Sequence, residues 1–125
     1  MIFDTDVIIF AHRGNIKASE IIINTEDRQI SIITYMELLQ GARDKKHLKI
    51  ILRFIQHFGF EVLNINANIG SRALLYVETF CLSHKMVMAD ALIAATAVEY
   101  NEKFLSGNTK HFTFISELDL CRFYP

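Results

Sequence analysis

The chain has 125 residues, of which 51% are hydrophobic and 22% charged. At roughly 100–200 residues per domain this is one domain, 1–125, of ordinary globular composition, and intrinsic disorder is excluded. Thirteen Lys and Arg against fourteen Asp and Glu give a net charge of -1, which excludes a strongly basic nucleic-acid binder as a global description but not a local basic face.

Met1-Ile2-Phe3 is a short apolar run that predicts a buried strand ending at Asp4. Val7 to His12 predicts a short helix closed by Gly14-Asn15, and Ile16 to Thr25 a second helix. The β-branched run Gln29 to Thr34 predicts a strand. Thr34 and Glu37 have capping-box spacing, so a helix is expected to start at Thr34, place Glu37 in its first turn and run towards Arg43. Leu48, Ile51, Leu52, Ile55 and Phe58 form the apolar stripe of an amphipathic helix from Lys45 to Phe58, with Gly59 as its stop.

Phe60 to Ile65 predicts the next strand, and Asn66 to Ser83 a helix with Ile69, Ala73, Leu74, Val77 and Phe80 on one side. Met88 to Tyr100, rich in alanine and almost continuously apolar, is the most helical segment. Lys103 to Ser106 predicts a strand, Gly107-Asn108 a turn, and Leu118 to Phe123 a last strand. Short apolar strands alternating with helices imply an α/β fold in three layers, a central and mostly parallel sheet of about five strands between helices.

Cys81 and Cys121 are too few for a disulfide framework or a four-ligand zinc site and are expected as small buried hydrophobes. Asp4 and Asp6 stand where a signal peptide needs a basic and then an apolar stretch, and no run approaches the roughly 18 apolar residues of a membrane span. The expectation is a soluble cytoplasmic protein.

Sites in such folds lie at the carboxyl ends of the strands, so the polar groups there carry the functional reading. Asp4 follows the first strand, Glu37 lies early in the helix after the second, Asp90 opens the alanine-rich helix, and Asn108 follows the strand at Phe104. Asp4 and Asp6, two apart, share one face if the backbone there is extended. Asp4 and Asp90 are embedded in apolar sequence, where an acid is costly without a partner. Blander roles exist: Glu37 as the capping partner of Thr34, Asp90 as a helix-dipole carboxylate. Gathered together, ionised carboxylates repel unless a cation or protons compensate, and an all-oxygen set suits Mg²⁺ or Mn²⁺ rather than zinc. Hydrolysis of a phosphodiester is the reaction that fits.

These residues also carry a resemblance. Asp4-Thr5-Asp6-Val7-Ile8-Ile9 resembles the opening Asp-Thr-Asn-Val-Leu-Ile of PIN-domain proteins. The segments from Ser31 to Gly41, from Asp90 to Ala97 and from Ser106 to Phe112 resemble their second, third and fourth motifs. The short length is similar to that of VapC-type toxins, the ribonuclease halves of toxin–antitoxin pairs. The resemblance implies the PIN-like three-layer fold and Mg²⁺- or Mn²⁺-dependent cleavage of RNA. It further implies Asp4, Glu37 and Asp90 as metal-binding and catalytic residues, with a VapB-type antitoxin partner and a homodimer or a higher toxin–antitoxin assembly.

The fourth motif departs from the family's Thr-x-Asn-x-x-Asp-Phe: Ser106 replaces the threonine and His111 the aspartate. That removes a fourth carboxylate and leaves the number of metal ions open. Asn108 still offers a carbonyl or an amide. Asp6, where asparagine is common in the family, is an auxiliary residue that could restore the lost charge. Ser106 and His111 are further auxiliary residues, with His111 either a general acid or a surface-loop histidine.

Five of the thirteen basic residues, Arg43, Lys45, Lys46, Lys49 and Arg53, fall within one short segment whose only acid is Asp44. Lys45, Lys49 and Arg53 recur every four residues and form one stripe, either an RNA-phosphate contact or a solvated helix face. Phe54, Phe58, Tyr76 and Phe80 are expected as apolar surface for a second copy or an antitoxin helix, if they are not core.

Other readings stay open on sequence. Asp-x-Asp after an N-terminal strand also opens haloacid-dehalogenase-type phosphatases, but no adjacent acidic pair follows Asp90. A housekeeping RNA-processing nuclease would share the same chemistry. An inactive RNA- or protein-binding module would share the fold.

Overall fold

Ile2 and Phe3 form β1 (Ile2–Phe3), and because side chains alternate along a strand, each feeds a different core. Ile2 packs with Phe104, Ile93 and Ile69, whereas Phe3 packs with Ile30, Leu105 and Ile55. A strand buried on both faces has no polar side, which is why this run reads as continuous apolar sequence. The computed structural model describes residues 1–125.

Around β1 stand β2 (Gln29–Ser31), β3 (Glu61–Leu63), β4 (Phe104–Ser106) and β5 (Leu120–Arg122). All pairings are parallel, in the order β3-β2-β1-β4-β5. The connections are α1 (Thr5–His12), α2 (Ile16–Asn24), α3 (Ile32–Gln40), α4 (Lys45–His57), α5 (Ala67–Phe80) and α6 (Met88–Glu99). Helices α1, α2, α3 and α4 send Val7, Ile22, Leu38 and Ile51 into the core on one sheet face. On the other face α5 and α6 pack Ile69, Ala73, Ile93 and Ala94. The three-layer arrangement expected from the sequence is what forms, and its sheet, expected to be mostly parallel, is parallel throughout.

In this strand order the chain runs outwards from β1 in one direction through β2 and in the other through β4. The carboxyl ends of β1 and β4 are therefore a topological switch point, where crossovers leave on opposite sides and a crevice opens. Asp4 follows β1 directly, and Ser106 is the last residue of β4.

Several boundaries differ from the sequence reading. The β-branched run after Arg28 stays extended only to Ser31, whose Oγ caps α3 by accepting from Ile33 N at 3.1 Å. Thr34 is thus inside the helix and fully buried, and Glu37 lies in its second turn, so the Thr34–Glu37 capping box does not form. Asp4 is itself the N-cap of α1, accepting from Thr5 N at 2.8 Å. Asp6 therefore sits in a first helical turn, and the extended Asp4–Asp6 arrangement is also replaced. The last strand is shorter than expected, Leu120–Arg122. Gly59 does close α4, at a φ of 64° that suits glycine.

Cys81 is exposed and Cys121 half-buried, because Cys81 falls just past the end of α5, outside either core. Tyr76, open between surface and core on sequence, is core at 3% exposed, and Leu74, expected on the buried side of α5, is exposed instead. Phe54, Phe58 and Phe80 are half-buried. The larger exposed apolar side chains are elsewhere, among them Leu82, Met88, Val87 and Met36. No helix is long and apolar enough to cross a membrane.

Candidate active site

At the switch point the buried Asp4 carboxylate, 6% exposed, is held on both oxygens. Oδ1 accepts from Thr5 N, and Oδ2 accepts from Ser106 Oγ at 2.7 Å. Ser106 is fully buried and in turn accepts from Asn108 N at 3.0 Å. Even so, burial pushes Asp4 up to about 7; the Ser106 bond opposes the shift and the charges of Asp6 and Asp90 add to it.

Asp6 reaches across from α1 to the loop after β4, where its Oδ2 accepts from Gly107 N at 3.0 Å. A Cβ on residue 107 would stand 2.7 Å from that oxygen, closer than real Cβ contacts come, so glycine is required by the approach of the carboxylate. The other oxygen, Asp6 Oδ1, is buried and has no hydrogen-bond partner in the protein. Burial raises the pKa of Asp6, against the Gly107 bond.

Glu37 is oriented by Thr5, whose Oγ1 donates to Oε1 at 2.7 Å and stands 3.0 Å from Thr34 Oγ1. The buried threonine inside α3 thus helps fix the hydroxyl that orients the glutamate one turn on. Asp90, in the first turn of α6, has its pKa raised chiefly by burial and further by the charges of Glu37 and Asp6, with His111 opposing. His111 lies in a 3₁₀ turn (Thr109–His111) with Nδ1 3.4 Å from Asp90 Oδ2.

Four carboxylates from three helices therefore gather at one crevice, and no Lys or Arg forms an ion pair with any of them. No three His, Cys, Asp or Glu side chains are close enough to form a ready-made chelating cage, as mutual repulsion among anions dictates. The donor set nonetheless fits a hard divalent cation. It is all oxygen, burial raises the pKa values of Asp4, Asp6 and Asp90, and Asp6 presents a buried, unpartnered oxygen.

Asn108 is exposed on the rim, lining a cavity with Asp6, Gly107 and Arg13. Lys45, Lys46, Lys49 and Arg53 are exposed on α4. At about 100° per residue Lys46, Lys49 and Arg53 lie opposite Ile51 and Ile55, the face that packs on the sheet, and Lys45 lies on the flank; the crevice side of α4 presents His47 and Phe54 instead. Of the basic segment only Arg43, before the helix, joins a cavity beside the crevice. Sequence reading left Thr5 without a role, saw Thr34 only as a cap and Gly107 only as a turn. Thr5 stands between two of the acids in the Asp4-Thr5-Asp6 motif, which was the available signal.

Comparison with known proteins identifies the family and the fold. The PIN domain family matches residues 1–116. A curated relative, "Ribonuclease VapC" of Rickettsia bellii, is 33% identical over 132 residues, covering 96% of this chain and 93% of its own. A toxin–antitoxin complex from Klebsiella pneumoniae contains a chain with 29% identity and a TM-score of 0.76, with 94% of this chain and 93% of that one covered. The DNA-bound VapBC of Salmonella typhimurium, 22% identical with a TM-score of 0.80 and 97% and 96% coverage, shares the fold. With these matches along nearly its whole length, the chain belongs to the PIN-domain family, on its VapC ribonuclease branch.

Proposed function

We propose that this protein is an Mg²⁺- or Mn²⁺-dependent endoribonuclease, acting as the toxin of a toxin–antitoxin pair. The observation that carries the proposal is the crevice itself: Asp4, Asp6, Glu37 and Asp90 converge with no Lys or Arg paired to any of them, and pKa values are raised at Asp4, Asp6 and Asp90. Asp4, Glu37 and Asp90 would hold the cation, with Asp6 alongside through its free oxygen. When bound, the ion supplies Lewis-acid stabilisation of charge developing on phosphorus and activation of the attacking water.

The chain's own residues do the positioning. Ser106 and Thr5 N lock the Asp4 carboxylate, and Thr5 Oγ1 fixes Glu37 so that one Oε remains free to face the site. His111, half-exposed beside Asp90, is placed to offer a proton to the departing oxygen. Asn108, exposed on the same rim, offers an amide donor to a phosphate oxygen.

The relatives described as toxin–antitoxin and VapBC complexes support an antitoxin partner. An apolar cavity of about 170 Å³ beside Glu37, lined by Ile8, Ile9, Ile51, Phe54 and Ile55, supplies a seat for a partner's apolar side chains. Exposed Met36, Val87 and Met88 near the acids supply surface for a second copy. The test is cleavage of RNA by the purified protein, mapped by new 5′ ends. Cleavage that needs Mg²⁺ or Mn²⁺ and is lost in Asp4→Asn, with the circular dichroism spectrum unchanged, supports the proposal. Cleavage that persists in that variant with EDTA present refutes it. Growth arrest on expression, relieved by the gene product encoded next to it, separates a toxin from a housekeeping nuclease.

A further inference from the structure

A cavity of about 290 Å³ with no hydrophobic lining residue is formed by His12, Arg13, Gly41, Arg43 and His47, and it shares all of these but Arg43 with the cavity that includes Glu37. Neither guanidinium has an ion pair or a side-chain hydrogen bond in the protein. The two imidazoles stack at 5.6 Å between ring centroids, and the Phe54 edge meets His12 at 5.5 Å, so both rings are held in place. Arg43 N donates to His47 Nδ1 at 3.1 Å. That bond leaves the His47 proton on Nε2, a donor free for a ligand. The nearest acid in sequence, Asp44, spends an oxygen capping α4 by accepting from His47 N at 2.8 Å. Positive neighbours and burial together depress the His12 pKa, with burial the larger cause.

Arg13 ties this cavity to the crevice. It lines the basic cavity, the apolar cavity that includes Glu37, and the rim cavity that includes Asp6, Gly107 and Asn108. A polyanion with one phosphate at the carboxylates would thus have its neighbouring charge beside Arg13. Two planar, always-charged forks and two imidazoles suit phosphate oxygens, to which guanidinium donates two parallel hydrogen bonds.

We propose that His12, Arg13, Arg43 and His47 form a phosphate-binding subsite that holds the RNA strand next to the phosphodiester at the acids. This rests on the ribonuclease reading above. In it, backbone affinity comes from this recessed cluster and not from the outward Lys45, Lys49 and Arg53 stripe.

The test compares binding of a fluorescent single-stranded oligoribonucleotide across a salt series, with every protein carrying Asp4→Asn to block cleavage. One phosphate contact on a single strand contributes about 0.7 to the slope of log affinity against log salt. The Arg13→Gln, Arg43→Gln pair should flatten the slope by at least that amount. The Lys45→Ala, Lys49→Ala, Arg53→Ala triple variant removes more charge and should flatten it less. Both guanidiniums are exposed, and circular dichroism confirms folding. An unchanged slope in the Gln pair, with RNA still bound, overturns the subsite and leaves the nuclease reading intact. No RNA binding by the parent overturns both. An unchanged slope accompanied by weakened binding of a Glu-rich peptide assigns the cluster to an acidic protein segment and also overturns the proposal.

Discussion

In the metal-free protein Asp4→Asn should gain stability relative to the wild type as pH rises. The carboxyl is raised from 3.8 to about 7 in the folded chain. The native state therefore holds this proton over a window in which the unfolded chain has released it, and stability falls as pH rises from about 4 to about 7. The full shift of about three pH units corresponds to a ceiling of about 4 kcal/mol. Asparagine keeps the bond to Thr5 N but turns an amide towards Ser106 Oγ, an exchange that costs about 1–3 kcal/mol because a buried hydroxyl proton loses its acceptor. That cost does not depend on pH, so it cancels when the two proteins are compared at two pH values. From pH 5 to the folded pKa is about two units, and the gap between variant and wild type should widen by about 2.7 kcal/mol between pH 5 and pH 8. Urea unfolding in EDTA at the two pH values measures this. A gap that stays constant or narrows refutes the reasoning, because Asp4 would then not be carrying an uncompensated charge.

Mg²⁺ should raise the melting temperature of the wild type more at pH 8 than at pH 5, and the rise should vanish in Asp4→Asn and Asp90→Asn; at about a hundredfold excess over Kd the stabilisation is about 2.7 kcal/mol. Calorimetry across an Mg²⁺ series checks it, and an equal shift in the variants counts against the site. Gly107→Ala places a Cβ 2.7 Å from Asp6 Oδ2 and should expel that carboxylate, cutting RNA cleavage by about 10–100-fold while the protein stays folded. Thr5→Val removes the hydroxyl that orients Glu37 and should lower kcat by a similar factor, about 10–100-fold, with little change in KM; a change confined to stability would reduce Thr5 to a packing role.

Much of the fold was legible in residue patterning. The amphipathic stripe of α4, the alanine-rich α6 and the apolar runs around Ile2, Ile30 and Phe104 each have a period or composition that only one backbone conformation satisfies. The boundary after Ser31 was not legible, since isoleucine and threonine suit a strand intrinsically and yield to a helix once its N-cap and tertiary packing favour one. The outward turn of Leu74 also escaped, because adjacent apolar residues on a helix do not say which of them faces the core.

By itself the sequence determined that short strands alternate with helices and that acids follow the strands, since hydrophobic periodicity and the cost of placing carboxylates in apolar sequence are local properties. Only the tertiary structure decided which groups meet. The crossover order brings β1 beside β4, so Ser106 clamps Asp4 from 102 positions away and Gly107 admits Asp6 from 101 away. The same packing turned the regular lysine stripe to solvent and gathered His12, Arg13, Arg43 and His47 around one cavity. Charge at a site follows proximity in space, and proximity in space is set by the sheet.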